Sequence, residues 1–280
     1  NGYARRYINA YVPFDDEGKL VTFEDIQTRD EGQNALMTLK GDVDNLGTIF
    51  QEGIQPANIA KMVALSRQMN LFFSLWLPAY CAEQSQSMYT VFAGGDDFFL
   101  IGPWYSTQKV AHAMQQAFAH YVAENPKIHF SVGMVMSKSN IPVPRLGDLA
   151  EEALEKSKKI DVDKNAVTIF NRSVKWADWK QLCDLEEEIH RLAETYKIST
   201  SYLYSLIRLC EQAADEKNIE SAMWRSRFYY RTARYVTDKL SKETRNKALS
   251  EISISLGDKG IGTYKLNFAI PLTNYFYQKR

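Results

Sequence analysis

Between residues 35 and 170 the hydrophobic positions fall into two alternating textures. Compact runs at 35–41, which is mainly apolar, and at 88–102 and 128–137, which are rich in β-branched and aromatic residues, predict strands. Between them, apolar residues recur every three or four positions. Met62, Leu65, Met69, Phe72, Phe73, Trp76 and Leu77 mark a long amphipathic helix over 58–83, which Pro78 is expected to kink or to end as a straight rod. Val110, Met114, Ala117, Phe118 and Tyr121 mark a second helix over 106–123. A third helix is predicted for 147–159, after a loop with two prolines, and a last strand for 166–170. Gly94-Gly95 interrupts the 88–102 run, so it reads as two strands joined by a tight turn. The order strand, helix, strand, strand, helix, strand is the ferredoxin-like arrangement, with two helices on one face of an antiparallel sheet.

From residue 175 strand signals vanish. Helical patterns run over 175–196, 199–216, 219–240 and 241–254, and predict a helical bundle. The pattern breaks at Gly257-Asp258-Lys259-Gly260, where a glycine can cap a helix and let the chain extend. The aromatic tail, 263–280, is expected to fold back on the bundle, with docking to another molecule as the alternative. Trp176, Trp179 and Trp224 read as bundle core. Residues 1–34 read as a lead-in from a preceding domain, with a strand at 5–14, a turn at 15–19 and a short helix starting near Phe23. The expected fold class is thus α+β: a ferredoxin-like unit over 35–174, then an all-α bundle over 175–280.

Composition narrows the options. Lysine and arginine total 34 and aspartate and glutamate 34, so no global field draws the chain to nucleic acid. Three scattered cysteines, Cys81, Cys183 and Cys210, fit a reducing compartment and offer no zinc pattern. The apolar runs are too short or too charged to span a bilayer, and no signal peptide is visible. A cytoplasmic location without membrane contact is expected.

The chemistry concentrates in two acidic stretches. Asp96-Asp97 follows Gly94-Gly95 at the tip of the expected hairpin, and Asp42-Val43-Asp44-Asn45-Leu46-Gly47 follows the first strand. Adjacent carboxylates beside an apolar sheet repel each other and lose solvation, a cost that a divalent cation removes. Hard oxygen donors suit magnesium or manganese. A solvated Asp-Asp turn is the plain alternative for the hairpin alone. Two acidic turns that converge on one metal pair would suit phosphoryl transfer, which holds its ions roughly 4 Å apart.

With both stretches in place the chain resembles the catalytic palm of the nucleotidyl-cyclase and polymerase superfamily. More narrowly, it resembles the large subunit of type III CRISPR effector complexes, Csm subtype (type III-A). Residues 64–73 resemble that family's first palm helix, 130–134 a later palm strand, and 150–158 with 164–167 the closing helix and strand. The resemblance runs with good specificity over 35–170 and weakly beyond. It implies ATP as substrate, a two-metal site, and synthesis of 3′–5′ cyclic oligoadenylate when the complex binds target RNA. It also implies other type III-A subunits, guide RNA and target RNA as partners. The family's HD-type nuclease domain and a further palm-like domain are expected ahead of this region and are not found in it.

Carried onto this sequence, the resemblance makes Asp42, Asp96 and Asp97 catalytic. Asp42 and Asp96 become metal ligands, the Val43 carbonyl completes their shell, and Asp97 binds a second metal or polarises the first site. Asp44 belongs to the nucleotide site or else caps the following helix. The turn through Asn45, Leu46 and Gly47 offers backbone N–H groups to phosphate. Gly94 and Gly95 permit close approach of nucleotide, Ser131 lines its pocket or is a plain strand residue, and Lys158 and Lys164 hold phosphates. The plain alternative for Lys156, Lys158 and Lys159 is a solvated helix face. His112, His120, His129 and His190 read as structural or exposed, and Arg227, Arg231 and Arg234 as a solvated face, with an RNA or subunit contact as the sharper alternative. A diguanylate cyclase using GTP is the enzymatic rival. Against it, the Arg-x-x-Asp of that family's inhibitory site is missing, and Phe50 stands near its guanine-reading asparagine. A structural subunit that binds nucleotide without chemistry is the third reading.

Overall fold

The computed structural model describes residues 11–56, 58–85, 87–215 and 217–280. The chain divides into two compact units between Trp176 and Ala177.

The first unit is built on a six-stranded sheet. Its strands are β1 (Leu36–Val43), β2 (Tyr89–Gly94), β3 (Asp97–Pro103), β4 (Phe130–Ser137), β5 (Ala166–Ile169) and β6 (Arg172–Lys175), in the spatial order β2-β3-β1-β4-β5-β6. β1 lies antiparallel between β3 and β4, which gives the ferredoxin-like centre expected from the element order. β5 adds parallel to β4, and β6 returns from it as an antiparallel hairpin strand that the sequence, with its last strand expected at 166–170, does not predict. Phe170 and Asn171 both take positive φ in its two-residue turn, without the glycine that usually announces one.

Helices α1 (Phe23–Ile26), α2 (Leu46–Glu52), α3 (Ile59–Leu71), α4 (Leu77–Tyr80), α5 (Ser106–Tyr121) and α6 (Val143–Lys158) complete this unit. The long helix does not stop at Pro78. It passes through a π-helical turn, Phe72–Trp76, before α4, and through another, Cys81–Ser85, after it. Pro78 stands in the first turn of α4, directly after the first π-helical turn. An aromatic cluster fills the core: Phe73 stacks on Phe98 at 4.8 Å between centroids, and Phe98 meets Phe130 edge-on at 5.3 Å. Phe98 and Phe130 flank Asp97 and His129 in sequence, so core packing fixes where those polar neighbours emerge. The strand expected at 5–14 lies mostly outside the described residues. The rest of the supposed lead-in is packed onto the sheet, with Val21 and Ile26 buried against Leu36, Ile101 and Leu146.

The second unit is helical: α7 (Trp176–Thr195), α8 (Thr200–Ala214), α9 (Trp224–Tyr235), α10 (Lys242–Ile252) and α11 (Ala269–Gln278). The expected break at Gly257–Gly260 does not occur. The chain continues from α10 as a π-helix, Ser253–Gly262. The glycines serve packing there, because a Cβ on Gly257 or Gly260 would meet the ring of Phe228 at 2.9 Å or of Phe268 at 2.7 Å. The tail folds back as α11, burying Ile270, Leu272 and Tyr275. Asn274 and Gln278 donate to the buried Glu186 carboxylate at 2.7 and 2.8 Å. Trp179 and Trp224 are core residues of this unit, whereas Trp176 is the last residue of the sheet unit and donates its indole N–H to the Phe130 carbonyl within that unit at 3.0 Å. The arginines of α9 are engaged locally: Arg231 donates to the Ser205 carbonyl, Arg234 to the Tyr230 hydroxyl, and Arg227 lies 3.9 Å from Glu220.

Candidate active site

The site gathers at the sheet edge where β1 ends and the β2–β3 hairpin turns. The hairpin loop is two residues, Gly95 and Asp96, closed by the Gly94–Asp97 pair. Gly95 takes φ +71°, as the first position of such a turn requires, and its N–H donates to the Asn70 side chain at 2.9 Å. The tip is fastened to β1 because Val43 N–H donates to the Asp96 carbonyl at 3.0 Å. Asp42 and Asp97 are direct register partners across β1 and β3. Three carboxylates, Asp42, Asp96 and Asp97, are therefore brought to one edge by backbone pairing alone.

Lys158 reaches the same edge from the last turn of α6. The helix can approach this closely because β4 carries Gly133, where a Cβ would fall 2.2 Å from the Leu154 backbone nitrogen. Its ammonium is ion-paired and hydrogen-bonded to Asp42. The neighbouring lysines point elsewhere: Lys156 bonds Asn171 and Lys159 lies near Glu155. Lys158 is thus distinct from an ordinary solvated helix face.

The electrostatics of the edge are those of an unfinished site. Burial pushes the Asp42 carboxyl above its ordinary range, against the pull of Lys158 and with a further push from Asp96 and Asp44. Burial also raises Asp97, aided by Asp96 and Asp42 and opposed by Lys40. Burial would lower Lys158, but its bond to Asp42 and the surrounding carboxylates outweigh it, and its affinity for the proton rises. Hard carboxylates held together at this cost fit a divalent cation of the magnesium or manganese type. Among the described residues no three His, Cys, Asp or Glu side chains are grouped so as to hold a metal ion by themselves. Asp42 instead has an ammonium as its counter-ion.

Asp44 behaves differently from its expectation. It neither faces the edge nor caps α2, whose first-turn flank, Asn45, makes no side-chain cap bond. Its side chain is wholly buried (0% exposed). One oxygen, Oδ2, accepts from His129 Nδ1–H at 2.8 Å, Ser131 Oγ–H at 2.9 Å and Asn165 N–H at 3.0 Å. Ser131 is also fully buried, and its hydroxyl oxygen accepts from Ala166 N–H at 3.3 Å, so it does not line a pocket. Asn45 and Gly47 are exposed and Leu46 half-buried at the start of α2, and Lys164 stands half-buried on the loop between α6 and β5. His129, read as structural or exposed, is part of this arrangement. No local pattern could reveal that, since its partner lies 85 residues away. A cleft of about 810 Å³ opens beside Asn45, lined by Thr48, Ile49, Glu52, Lys61, Leu65, His129 and Asp163 among others. Its volume is in the range of small-molecule sites.

A palm of the nucleotidyl-cyclase and polymerase type is the class that this sheet order and this carboxylate edge define. A family model described as "Cas10/Cmr2, second palm domain" matches residues 35–168, and these residues belong to that family. The relatives place the palm with the large subunit of subtype III-A CRISPR systems. The chain is 32% identical over 186 residues to the CRISPR system single-strand-specific deoxyribonuclease Cas10/Csm1 (subtype III-A) of Methanocaldococcus jannaschii, covering 59% of this chain and 22% of that protein. It is 32% identical over 199 residues to the protein of the same name from Enterococcus italicus, covering 68% of this chain and 25% of that protein. The chain thus spans about a quarter of the length of these curated relatives. The fold is also that of solved Csm1–Csm4 cassettes: one in complex with pppApApA aligns with a TM-score of 0.72, and one in complex with cA4 with 0.71. Each is 21% identical and covers 96% of this chain, against 41% and 40% of the respective solved chains. A third cassette, in complex with one ATP, aligns at 0.68 with 21% identity over 95% of this chain and 40% of that one. Among the described residues no helix is long and apolar enough to cross a membrane.

Proposed function

We propose that this palm binds ATP with divalent metal and joins it into 3′–5′ cyclic oligoadenylate, releasing pyrophosphate, within a type III-A complex that has bound target RNA. The observation that carries this reading is the convergence of Asp42, Asp96 and Asp97 on one sheet edge, with Lys158 in place to exchange a carboxylate for a phosphate. The likeness to cassettes in complex with ATP, pppApApA and cA4 supports it, because those molecules are a substrate and products of this kind of chemistry.

Each residue has a role in the reading. Asp42, Asp96 and Asp97 hold the metal, with the Val43 carbonyl beside them. When bound, the cations supply charge neutralisation of the triphosphate and a lowered pKa for the attacking 3′-hydroxyl. That hydroxyl displaces pyrophosphate from the α-phosphate of a second nucleotide, so no carboxylate need act as a general base. Lys158, which meets Asp42 in the structure, would be available to the phosphates with a cation on that carboxylate, and Lys164 would add a second point charge. The start of α2 at Asn45–Gly47 and the bare backbone at Gly94–Gly95 border the nucleotide. The cleft beside Asn45 has room for part of it. Other complex subunits and the guide and target RNAs are the partners. The Csm1–Csm4 cassettes support the first of these.

The test is turnover of ATP against GTP by the assembled complex with target RNA and manganese or magnesium, with Asp96→Ala/Asp97→Ala as control. Oligoadenylate from ATP, absent in the double variant, is the expected result. Cyclic dinucleotide from GTP would make the protein a diguanylate cyclase. Nucleotide binding without product would leave a structural role.

A further inference from the structure

Sequence comparison has no reason to join Asp44, His129, Ser131 and Asn165, yet the fold places all four around one buried carboxylate oxygen. The backbone is tied at the same place, since Asp44 N–H donates to the His129 carbonyl at 2.8 Å. The element this cluster restrains is the loop from α6 to β5. Lys164 and Asn165 there both take positive φ, 53° and 49°, a conformation uncommon for a residue such as lysine and tolerated by asparagine. The Asn165 N–H on Asp44 Oδ2, the Ala166 N–H on Ser131 Oγ and the Lys175 ammonium on the Lys164 carbonyl are the contacts made there. Of these, the Asp44 contact is the one made by a residue directly after the strand that carries Asp42.

We propose that Asp44 and His129 are positioning residues. They form a brace that holds the left-handed Lys164–Asn165 turn at a fixed distance from the end of β1, so that the Lys164 side chain is presented to the phosphates at the carboxylate edge. His129 Nδ1–H supplies one of the three hydrogen bonds that saturate Oδ2, and a charge-assisted bond of this kind fixes direction as well as distance. The assignment rests on the nucleotide reading above for what Lys164 meets. The brace itself rests only on the hydrogen bonds.

Three variants in the assembled complex with target RNA test it: His129→Phe keeps the ring and removes the donor, His129→Asn restores a donor near the Nδ1 position, and Lys164→Ala removes the cation. His129→Phe is expected to raise KM for ATP about tenfold while kcat changes less than about threefold, the mark of lost uniform binding. His129→Asn is expected to return KM to within about twofold of wild type. In His129→Phe/Lys164→Ala, KM should match that of Lys164→Ala alone, because two residues acting through one contact are not additive. Amide hydrogen exchange reads the brace without reference to nucleotide: His129→Phe should lose protection at Asn165 and Ala166 and keep it in β1 and α6. Unchanged exchange at 165–166, or additive effects in the double variant, would overturn the brace. A wild-type complex that makes no product from ATP would overturn the nucleotide reading alone, and the exchange result would still decide the brace.

Discussion

Two regions at one end of the palm sheet hold carboxylates within two residues of each other and manage them in opposite ways. At the hairpin edge, Asp42 and Asp97 face each other with Asp96 beside them, and burial and mutual repulsion raise the proton affinity of the first two. Just past the strand end, Asp44 is more deeply buried, yet three donors meet its Oδ2. Glu186 in the helical unit follows the second pattern, with Asn274 and Gln278 as donors. Burial alone therefore does not mark a ligand site. What separates the regions is how the charge is met: three donors meet Asp44 Oδ2 while its buried Oδ1 has no hydrogen-bond partner, and at the edge Asp42 is met by the Lys158 ammonium.

The largest expected effect sharpens the edge side of this contrast. Asp96→Ala/Asp97→Ala should lower ATP turnover by about 10³-fold, since metal stabilisation of phosphoryl transfer is worth several kcal/mol. A loss below about tenfold would remove these carboxylates from the chemistry.

Next is a stability comparison by urea unfolding. Asp44→Ala strands the three donors that meet its buried Oδ2 and should cost about 3 kcal/mol or more. Asp42→Ala, which frees the half-buried Lys158 toward solvent, should cost less than about 1 kcal/mol. Equal losses would erase the distinction between the two regions.

A smaller effect concerns pH. A carboxyl whose folded pKa is raised binds its proton more tightly in the folded state, so it favours folding at low pH and penalises it once ionised. Asp97→Asn should therefore raise the melting temperature of the metal-free protein at pH 7, by about 1–2 °C after allowance for solvent screening. The gain should vanish as pH falls below the ordinary carboxylate range, where the wild-type side chain is protonated in both states. A gain that persists at low pH would contradict the sign. The smallest effect is in the helical unit, where Arg225→Ala breaks an exposed pair with Asp258 and should change stability by no more than about 0.5 kcal/mol.

Much of the palm was legible because its signals are local. Strand runs, helical stripes and Gly94-Gly95 each report on their own neighbourhood, and the ferredoxin-like order follows from their sequence. The features that escaped depend on distant or exceptional partners. Phe170-Asn171 turns a hairpin without glycine, held by β6 pairing. Gly257 and Gly260 look like a helix stop, but the rings of Phe228 and Phe268 use them for close packing inside a continuing helix. Asp44 shares a motif with Asp42, yet the chain turns after Val43 and carries it inward to His129 and Ser131, which no spacing rule connects to it. Lys158 was singled out by resemblance, and its contact with Asp42 depends on how closely α6 packs at Gly133.

The central claim is that the edge, and not the buried Asp44 cluster, takes the cation. Manganese titration of the full chain without nucleotide, followed by electron paramagnetic resonance, tests it most directly. Wild type and Ser131→Ala should bind manganese with affinities within about twofold of each other, whereas Asp42→Asn/Asp97→Asn should bind at least about tenfold more weakly. Unchanged binding in the edge variant, or a comparable loss in Ser131→Ala, would contradict the account.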